Sequence, residues 1–428
     1  MNLSKEILGA AGVLKPVLLK IFPYEFLKKI KGVMVKDSLN KIEGISIRPF
    51  ERSERPDGIN LIGNMKAETG LGQSCRLLAD VLENCCVPYS IYEYDQLGAT
   101  TAGNYNFSEK SRSDFTYNIN LIHINPHDLG LAFMRLHDQA WDGHYNIGFW
   151  LWELEEFQEE WMPCFHCVDE IWTPSEFTSS SIRRKTSKPV ITIPYHVKAE
   201  VSRKYERSEF GLPEDQFLFL MMYDRTSSTE RKNPQAVLRA FREAFPEKEN
   251  VGIVIKISNS TEKEVELIRQ MLPTAANIYF ITDILTRDQV NGLIQCADAV
   301  VSLHRSEGFG LVMAEAMLLG TPVIATNWSA NSEFMTEDTS CLVKADMITL
   351  KEDVGAFKKG NRWADADIRQ AAGYMRMLFE HPEYGKAMAE RAKRHIENCL
   401  SMEQAVSLIN GRIEAIYSGR ERQDMEEN

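Results

Sequence analysis

The chain has 428 residues, of which 44% are hydrophobic and 26% are charged, and its formal net charge at pH 7 is −12. This length predicts two domains, and the composition is typical of a globular protein. The acidic balance argues against nucleic acid as a partner, because non-specific binding to nucleic acid needs a basic surface.

The number and spacing of the cysteines indicate the cellular compartment and whether a metal site is expected. The eight cysteines are scattered, and no secretory signal stands before them, so we expect a reduced, cytoplasmic compartment. Cys164 and Cys167 have the spacing of half a zinc site, but no second pair follows at zinc spacing. The sequence therefore predicts no metal site.

Residues 1–36 differ from the rest of the chain. They hold seven Lys and two Glu, a local charge of +5 that leaves −17 for the remaining residues. Apolar residues alternate with the lysines, Pro16 and Pro23 divide the stretch, and no run reaches the ~18 apolar residues of a spanning helix. The pattern favours short amphipathic helices on an anionic membrane face. A terminal helix packed on the protein's own surface is the alternative.

A first Rossmann-like domain is predicted over 46–200, after an N-terminal segment and linker over 1–45. Short apolar strands alternate here with helical stretches, at a spacing that indicates a parallel sheet covered on both faces. The first strand–helix–strand unit contains Gly70 and Gly72 in its turn. This turn lacks the complete dinucleotide-binding fingerprint.

Aromatic and polar side chains follow two strands of this domain. His127 comes shortly after one strand, and Trp152 and Glu153 follow another. Because ligands bind at the carboxyl ends of parallel strands, these residues are candidates for contacting a sugar, whose apolar face suits an aromatic ring. Core tryptophans, a solvated acidic turn and a structural histidine are the alternatives.

A second Rossmann-like domain is predicted over 201–395. A polar turn follows its first strand, and a helix then begins near Pro234, a favoured first-turn position. The turn contains three cations, Arg225, Arg231 and Lys232. Cations before a helix start suit a diphosphate, Arg through paired donors and Lys as a compact charge. A solvated basic pair is the alternative.

The most informative stretch is 298–327, DAVVSLHRSEGFGLVMAEAMLLGTPVIATN. Its apolar run, glycine turn, helix and second apolar run predict a βαβ unit. Gly308 and Gly310, which flank Phe309, allow a sharp turn and the close approach of a ligand.

Two carboxylates of this unit, Glu307 and Glu315, stand eight positions apart. Glu307 lies in the turn before the helix, where exposed N–H groups favour an anion, and Glu315 lies on the first helical turns. A phosphate-attracting turn flanked by two hydrogen-bond acceptors suits a nucleotide-sugar. Asp283, at an earlier strand end, is a candidate for contacting the base. A helix-start carboxylate and an ordinary surface Glu are the alternative.

The tail from about 365 to 418 is predicted to be largely helical. Asp365-Ala366-Asp367 spells a metal-binding DxD sequence, but it lies at a predicted helix start with Asp as the cap. We therefore assign it no metal.

The stretch SEGFGLVMAEAM, followed by GTPVIAT, resembles the signature of the family-four retaining glycosyltransferases, the glycosyl transferases group 1. That family has the GT-B fold, an α/β fold of two Rossmann-like domains that face each other across a cleft. Its Glu-x7-Glu motif matches Glu307 and Glu315. The resemblance implies that Glu307 contacts the donor sugar and that Glu315 contacts the ribose hydroxyls. It covers roughly residues 58–400.

Two further motifs extend the resemblance. ERKNP is similar to the family's second motif, which implies that Lys232, with Arg231 or Arg225, holds the donor pyrophosphate. GLG is similar to the glycine loop that faces the donor phosphates and the acceptor, which implies a role for Gly70 and Gly72. The resemblance also implies that a helix within 396–428 returns toward the first domain.

The implied activity is transfer of a hexose, with retention, from a UDP- or GDP-linked sugar to a hydroxyl of a glycan or lipid-linked glycan. We expect no tightly bound cofactor and no metal. The expected setting is surface-polysaccharide synthesis (O-antigen, capsule or exopolysaccharide) at the inner face of the plasma membrane, with residues 1–36 on the anionic surface. The candidate residues are, for catalysis, Glu307, Lys232 and Arg231; for the donor, Glu315, Arg225, Gly308, Phe309, Gly310, Gly70, Gly72 and Asp283; and for the acceptor, His127, Trp152 and Glu153.

Two alternatives stay open. One is another nucleotide-sugar enzyme on the same fold, an epimerase or a phosphorylase. The other is a non-catalytic nucleotide-sugar binding subunit, against which the intact Glu307, Glu315 and Lys232 argue.

Overall fold

The computed structural model describes residues 24–94, 103, 105–247, 249–271 and 277–419, without the side chains of 24–28. Most of the predicted basic segment, residues 1–23, lies outside the described residues. The chain divides into two compact units. The first comprises Met1–Leu151, Glu156–His196 and Met402–Asn428, and the second comprises Trp152–Glu155 and Val197–Ser401.

The first unit is built on a parallel sheet with the strand order β2-β1-β3-β4-β5-β6. All five residues of β1 and of β3 are buried, because helices cover both faces of the sheet. Register pairs Leu61 with Ile91 on one side and with Leu121 on the other. The bounds are α1 Tyr24–Ile42, β1 Ile59–Gly63, α2 Gly70–Leu82, β2 Tyr89–Glu93, β3 Ile119–His123, α3 Pro126–Ala140, β4 Tyr145–Phe149, β5 Glu170–Thr173, α4 Glu176–Arg183 and β6 Val190–Thr192.

Helix α1 extends further than the sequence indicates. The polar stretch after residue 36 reads as a linker, but the helix continues to Ile42. Leu39 and Ile42 are buried in it, because they pack on α3 at Gly130, where a side chain would collide with Ser38. The burial of these two apolar side chains stabilises the last turns of the helix.

The second unit contains a parallel sheet with the order β12-β11-β10-β7-β8-β9. Its bounds are β7 Phe217–Asp224, α5 Thr229–Lys232, α6 Pro234–Ala244, β8 Val251–Ser258, α7 Glu262–Met271, β9 Asn277–Ile281, α8 Arg287–Cys296, β10 Ala299–Ser302, α9 Leu311–Leu318, β11 Val323–Thr326 and β12 Cys341–Val343. A core of Phe, Ile, Val and Met side chains fills the space between this sheet and its helices. The prediction of two Rossmann-like α/β domains is thus confirmed.

A two-stranded antiparallel hairpin, which the sequence analysis did not predict, follows β12. Its strands are β13 Ala345–Thr349 and β14 Arg362–Ala366. Asp367 then caps helix α10, Ile368–Glu380, by accepting hydrogen bonds from the backbone N–H groups of Arg369 and Gln370 at 2.9 and 3.1 Å. This cap agrees with the interpretation of the DxD sequence as a helix start.

Two more helices complete the described chain, α11 Pro382–Cys399 in the second unit and α12 Met402–Ser418 in the first. The buried Arg412 of α12 forms an ion pair with the buried Glu170 of β5. Over the described residues, no helix combines the length and the apolar character that crossing a bilayer requires.

Candidate active site

The candidate site lies at the carboxyl edge of the sheet of the second unit. Strands β7, β10 and β11 are neighbours and run in parallel, so the segments that follow them meet at one edge. The segment after β7 carries Arg231 and Lys232, the segment after β10 carries Glu307, and the segment after β11 carries Ser329 and Asn331.

Glu307 is the centre of this site. Its carboxylate is almost buried, with Lys232 Nζ 2.5 Å from Oε1 and Arg231 Nη1 3.2 Å from Oε2. The structure therefore brings the three residues predicted for catalysis together in one ion-paired cluster.

The polar turn after β7 is shaped by two residues with left-handed φ angles. Ser228, with φ 66°, caps the single turn α5, and Asn233, with φ 52°, separates α5 from α6. Asn233 Nδ2 donates to the carbonyl oxygen of Leu303, 3.0 Å away, at the end of β10. This bond fixes the cation-bearing turn against the strand that leads to Glu307.

Arg231 and Lys232 have different surroundings. Arg231 is buried, and its guanidinium donates to the carbonyl oxygen of Ser306 at 2.7 Å and to Ser227 Oγ at 2.8 Å. Lys232 keeps 22% of its side chain exposed. Arg231 therefore supports the Glu307 turn from inside, whereas Lys232 is the cation of the pair that reaches the surface.

The charges of the cluster shift its pKa values. Burial alone would raise the pKa of Glu307, but Lys232 and Arg231 outweigh it and lower the pKa to about 2. Burial lowers the pKa of Lys232, although Glu307 opposes this. Burial likewise lowers the pKa of His304, so its imidazole is neutral near pH 7. Glu307 is therefore ionised beside two cations.

A polar network that the sequence analysis did not assign stands behind Glu307. Ser329 Oγ accepts from the backbone N–H of Glu307 at 2.9 Å, and Ser329 has a φ of 73°, which is unusual for a non-glycine residue. His304 Nε2 lies 3.0 Å from Asn331 Oδ1. The only sequence signal for these residues was their position after apolar strands.

Steric constraints explain why glycine occupies two positions in the turn before α9. Gly310 has a φ of 96°, which favours glycine, and a Cβ on Gly308 would lie 2.9 Å from the carbonyl oxygen of Trp152. Phe309 is buried, with its ring centroid 5.2 Å from that of Phe334. Its side chain thus packs in the second unit.

Glu315 lies outside the Glu307 cluster. Its side chain is completely buried in α9, and Arg287, the first residue of α8, forms an ion pair with it. The sequence analysis did not predict Arg287, because the two residues are 28 positions apart and each belongs to a different helix.

The other two donor candidates of the second unit also lie apart from Glu307. Arg225 Nε donates to the carbonyl oxygen of Asn259 at 2.8 Å and lies 3.7 Å from Glu264. Asp283 is exposed in the turn after β9, at the same edge of the sheet.

The acceptor candidates are divided between the units. Trp152 is buried with its ring centroid 5.6 Å from that of Phe357, and Glu153 Oε1 lies 3.6 Å from Arg231 Nη2, all within the second unit. His127 is half-exposed in the first unit, with Nε2 3.2 Å from Asp128 Oδ2.

The glycines predicted to face the donor begin α2 of the first unit. Thr69 caps this helix, and its hydroxyl accepts from the backbone N–H of Gly72 at 3.1 Å. A Cβ on Gly72 would lie 2.0 Å from the carbonyl oxygen of Ala67, whereas one on Gly70 would meet open space. Close backbone packing therefore explains Gly72 alone.

Within the part of the chain that the structure describes, no three His, Cys, Asp or Glu side chains are arranged to hold a metal ion.

Comparison with known proteins finds similarity to one family and identifies the fold. Residues 202–395 match the family model described as glycosyl transferases group 1. A putative glycosyltransferase of Bacillus subtilis (strain 168), YtcC, is 25% identical over 234 residues, which are 53% of this chain and 52% of YtcC. The chain spans about half the length of the curated relatives it matches.

Two solved structures cover most of the chain. The structure of Alr3699/HepE from Anabaena in complex with UDP and glucose has a TM-score of 0.55 and 10% identity, covering 84% of this chain and 100% of that one. WaaG, a glycosyltransferase involved in lipopolysaccharide biosynthesis, has a TM-score of 0.55 and 14% identity, covering 82% and 100%. The chain thus has the GT-B fold, and residues 202–395 are the part that is similar to the glycosyl transferases group 1 family.

Proposed function

We propose that the chain is a retaining glycosyltransferase that moves a hexose from a UDP- or GDP-linked donor to a hydroxyl of a glycan acceptor. One observation carries the proposal. An ionised, nearly buried Glu307 is paired with Lys232 and Arg231 at the carboxyl edge of a Rossmann-like sheet, inside the segment that matches the family model.

The chemistry of the leaving group explains the two cations. When the glycosidic bond of the donor breaks, negative charge develops on the nucleoside diphosphate. Lys232 reaches the surface and would stabilise this charge directly, while the buried Arg231 adds its field from behind. The backbone N–H groups at the start of α9 favour the same charge.

Glu307 has a different role in this proposal. An ionised carboxylate only accepts hydrogen bonds, so it suits the hydroxyl groups of a sugar. Its position between the two cations would orient the donor hexose with the anomeric carbon toward the acceptor. Retention of configuration follows from the family resemblance and is part of the proposal.

The solved structures support the donor and acceptor classes. UDP and glucose are bound in the structure of the Anabaena protein, which agrees with a nucleotide-sugar donor. WaaG acts in lipopolysaccharide biosynthesis, which agrees with a surface glycan as the acceptor. We propose the same classes for this chain, with a lipid-linked glycan as the preferred acceptor.

Membrane association at the inner face is part of the proposal and is supported by α1. Ile30 and Val33 are 43% and 70% exposed on this helix, and Lys29 and Lys36 beside them are exposed as well. Apolar side chains flanked by lysines suit an anionic lipid surface. We expect the chain to float with anionic vesicles and an Ile30→Ser, Val33→Ser variant to float less. Equal flotation of both proteins would contradict this part.

The donor proposal is tested by activity with a panel of UDP- and GDP-hexoses. We expect one donor to be consumed, and Lys232→Ala and Glu307→Gln to reduce turnover by roughly 100-fold or more, as for loss of a charge-stabilising group. Lys204→Ala and Glu383→Gln are matched controls, since their side chains are 85% and 77% exposed. NMR of the product gives the anomeric configuration.

The outcomes separate the alternatives. Nucleotide-sugar binding without transfer, unaffected by Lys232→Ala, would favour the non-catalytic subunit. An inverted product would contradict retention while leaving glycosyl transfer intact.

A further inference from the structure

The hairpin of β13 and β14 leads to a further inference about the active site, and this inference rests on the proposed function. Residues 152–155 belong to the second unit, although the chain before and after them belongs to the first. This four-residue segment follows β4 and includes Glu153, which lies beside Arg231. The contacts that hold the segment therefore determine where the Glu153 carboxylate lies.

The hairpin contacts both ends of the 152–155 segment. At one end, the ring centroid of Trp152 lies 5.6 Å from that of Phe357, and the two ring planes differ by 27°. At the other end, Arg362 Nε lies 3.9 Å from Glu155 Oε2. Trp152 and Phe357 are only 3% and 5% exposed, so their stacking contributes apolar burial as well as a preferred ring geometry.

The active-site turns contact the middle of the same segment. Ser306 Oγ donates to the carbonyl oxygen of Glu153, and Arg231 Nη2 lies 3.6 Å from Glu153 Oε1. A Cβ on Gly308 would lie 2.9 Å from the carbonyl oxygen of Trp152, so the backbones approach closely. The segment is therefore packed between the hairpin and these turns.

Different parts of the hairpin contact the two sides. In β14, the backbone N–H of Ala364 donates to the carbonyl oxygen of Arg305 at 3.0 Å. Phe357 lies instead in the loop between the strands, where Val354 and Phe357 exchange two backbone hydrogen bonds of 2.8 and 3.0 Å. Removal of the Phe357 ring should therefore loosen the 152–155 segment while β14 still supports the turn before α9.

We propose that Glu153 binds the attacking hydroxyl of the acceptor, and that Phe357 is a positioning residue that acts through Glu153. The Glu153 side chain is 27% exposed and is therefore accessible to a ligand. A carboxylate accepts hydrogen bonds, and the attacking hydroxyl donates one.

The position of Glu153 suits this role. Arg231 contacts both carboxylates of the site, with Nη2 3.6 Å from Glu153 Oε1 and Nη1 3.2 Å from Glu307 Oε2. A hydroxyl bound to Glu153 would thus lie next to the sugar that Glu307 orients, as transfer requires.

Three measurements on the purified full chain test the proposal. Release of nucleoside diphosphate from the UDP- or GDP-hexose that the chain consumes gives kcat, calorimetry with UDP and GDP gives the nucleotide affinity, and hydrogen–deuterium exchange reports on the 152–155 segment. The variants are Phe357→Ala, Phe357→Leu, Glu153→Gln and the double variant Phe357→Ala, Glu153→Gln. Lys359→Ala is the matched control, because Lys359 is exposed in the same loop.

We expect Phe357→Ala to lower kcat by roughly 10- to 100-fold, as for displacement of a group that orients a reactant, and to leave the nucleotide affinity unchanged. The amide hydrogens of 152–155 should exchange faster in this variant, while those of β10 keep their protection. Glu153→Gln should lower kcat to a similar extent without faster exchange. The double variant should be no slower than Glu153→Gln alone, because Phe357 acts through Glu153.

The conservative variant and the control complete the comparison. Phe357→Leu keeps most of the apolar volume, so it should fold even where Phe357→Ala does not, and it should lose less of kcat. Lys359→Ala should match the wild-type chain in all three measurements.

Three results would overturn the proposal. The first is a wild-type kcat in Glu153→Gln, since the attacking hydroxyl would then not depend on this carboxylate. The second is a nucleotide affinity that falls together with kcat in Phe357→Ala, since the loop would then support the donor side. The third is a lower melting temperature of Phe357→Ala with an unchanged kcat, which would make the stacking purely structural. Failure of the wild-type chain to consume any hexose donor would instead overturn the proposed function together with this inference.

Discussion

At the scale of single residues, the charge of Glu307 is also a contribution to stability. Its pKa is about 2 in the folded chain against an ordinary value of 4.5, so the ionised form stabilises the fold above pH 4.5. This contribution is lost as the pH falls toward 2. We expect Glu307→Gln to lower the free energy of unfolding by about 3 kcal/mol at pH 7, because it removes the carboxylate that Lys232 and Arg231 share.

Urea unfolding at several pH values measures this effect. The deficit of Glu307→Gln should be constant from pH 7 to about pH 5. It should shrink at lower pH, because Glu307 of the unfolded chain binds a proton below its ordinary pKa of 4.5 whereas the folded chain keeps the carboxylate ionised to about pH 2. Glu383→Gln, at an exposed position, should stay within about 0.5 kcal/mol of wild type. A deficit as large at pH 3 as at pH 7 would contradict the ion-paired state of Glu307.

A second residue-scale prediction concerns Gly310. Its φ of 96° strains any other residue, and an added Cβ would lie 2.6 Å from Met313 Cε and 3.1 Å from Asn331 Cβ. We expect Gly310→Ala to lower the free energy of unfolding by about 1–3 kcal/mol, measured by urea denaturation. Gly373→Ala is the control, because Gly373 lies inside α10 with open space around it, and it should raise stability by about 0.5–1 kcal/mol. Equal effects of the two changes would contradict the backbone argument.

The proximity of the charged residues in the candidate site could be predicted where they follow strands of the same parallel sheet. Lys232 and Glu307 were both placed at strand ends of one parallel sheet, and the structure pairs them. The burial of Arg231 was not predictable, because a cation in a polar turn reads as solvated until its partners, Ser227 and the carbonyl of Ser306, are known. The contact between Arg287 and Glu315 was not predictable either, because the two residues are 28 positions apart in the sequence and lie in different helices.

At the scale of elements, helix α12 is held to the first sheet by a buried ion pair. Arg412 contacts Glu170, whose carboxylate also accepts from the Tyr145 hydroxyl at 2.8 Å and from Trp172 Nε1 at 2.6 Å. We expect Arg412→Met to lower the free energy of unfolding by about 3–5 kcal/mol in urea denaturation, because it leaves a buried carboxylate without its cation.

Two further variants test this pair, one at its other partner, Glu170, and one at an exposed position of α12. Adding Glu170→Gln to Arg412→Met should restore much of the lost stability, since the remaining partners are neutral donors. Glu414→Gln, on the exposed side of α12, should change stability by less than about 0.5 kcal/mol. A double variant as unstable as Arg412→Met alone would contradict a charge-based role.

The strands of the parallel sheets could be predicted from the pattern of apolar residues, whereas the hairpin of β13 and β14 could not. The two apolar runs of the βαβ unit predicted within 298–327 correspond to Ala299–Ser302 and Val323–Thr326, because runs of buried β-branched residues have few other solutions. Strands β13 and β14 mix polar and apolar residues, so their pattern is weak. Tertiary contacts define them instead, among them the bond from the backbone N–H of Ala364 to the carbonyl oxygen of Arg305 at 3.0 Å.

At the scale of the whole molecule, the first unit is discontinuous in sequence. Its sheet is complete by Thr192, but helix α12, which packs into the same unit, comes after the entire second unit. Ala405, Ile409, Ile413 and Ile416 of this helix are buried. Composition and periodicity predicted two domains, but the return of the last helix was implied only by family resemblance, because an amphipathic helix does not specify which core it covers.

This discontinuity predicts different responses of the two units to truncation. In a chain that ends at Ser401, the first unit loses the apolar face of α12 and leaves Glu170 buried without Arg412. We expect hydrogen–deuterium exchange to become faster in β1 to β6, while β7 to β12 keep their protection, because the second unit retains all of its described elements. A chain that ends at Gly419 keeps α12 and is the control. Equal loss of protection in both sheets would show that the second unit also depends on α12.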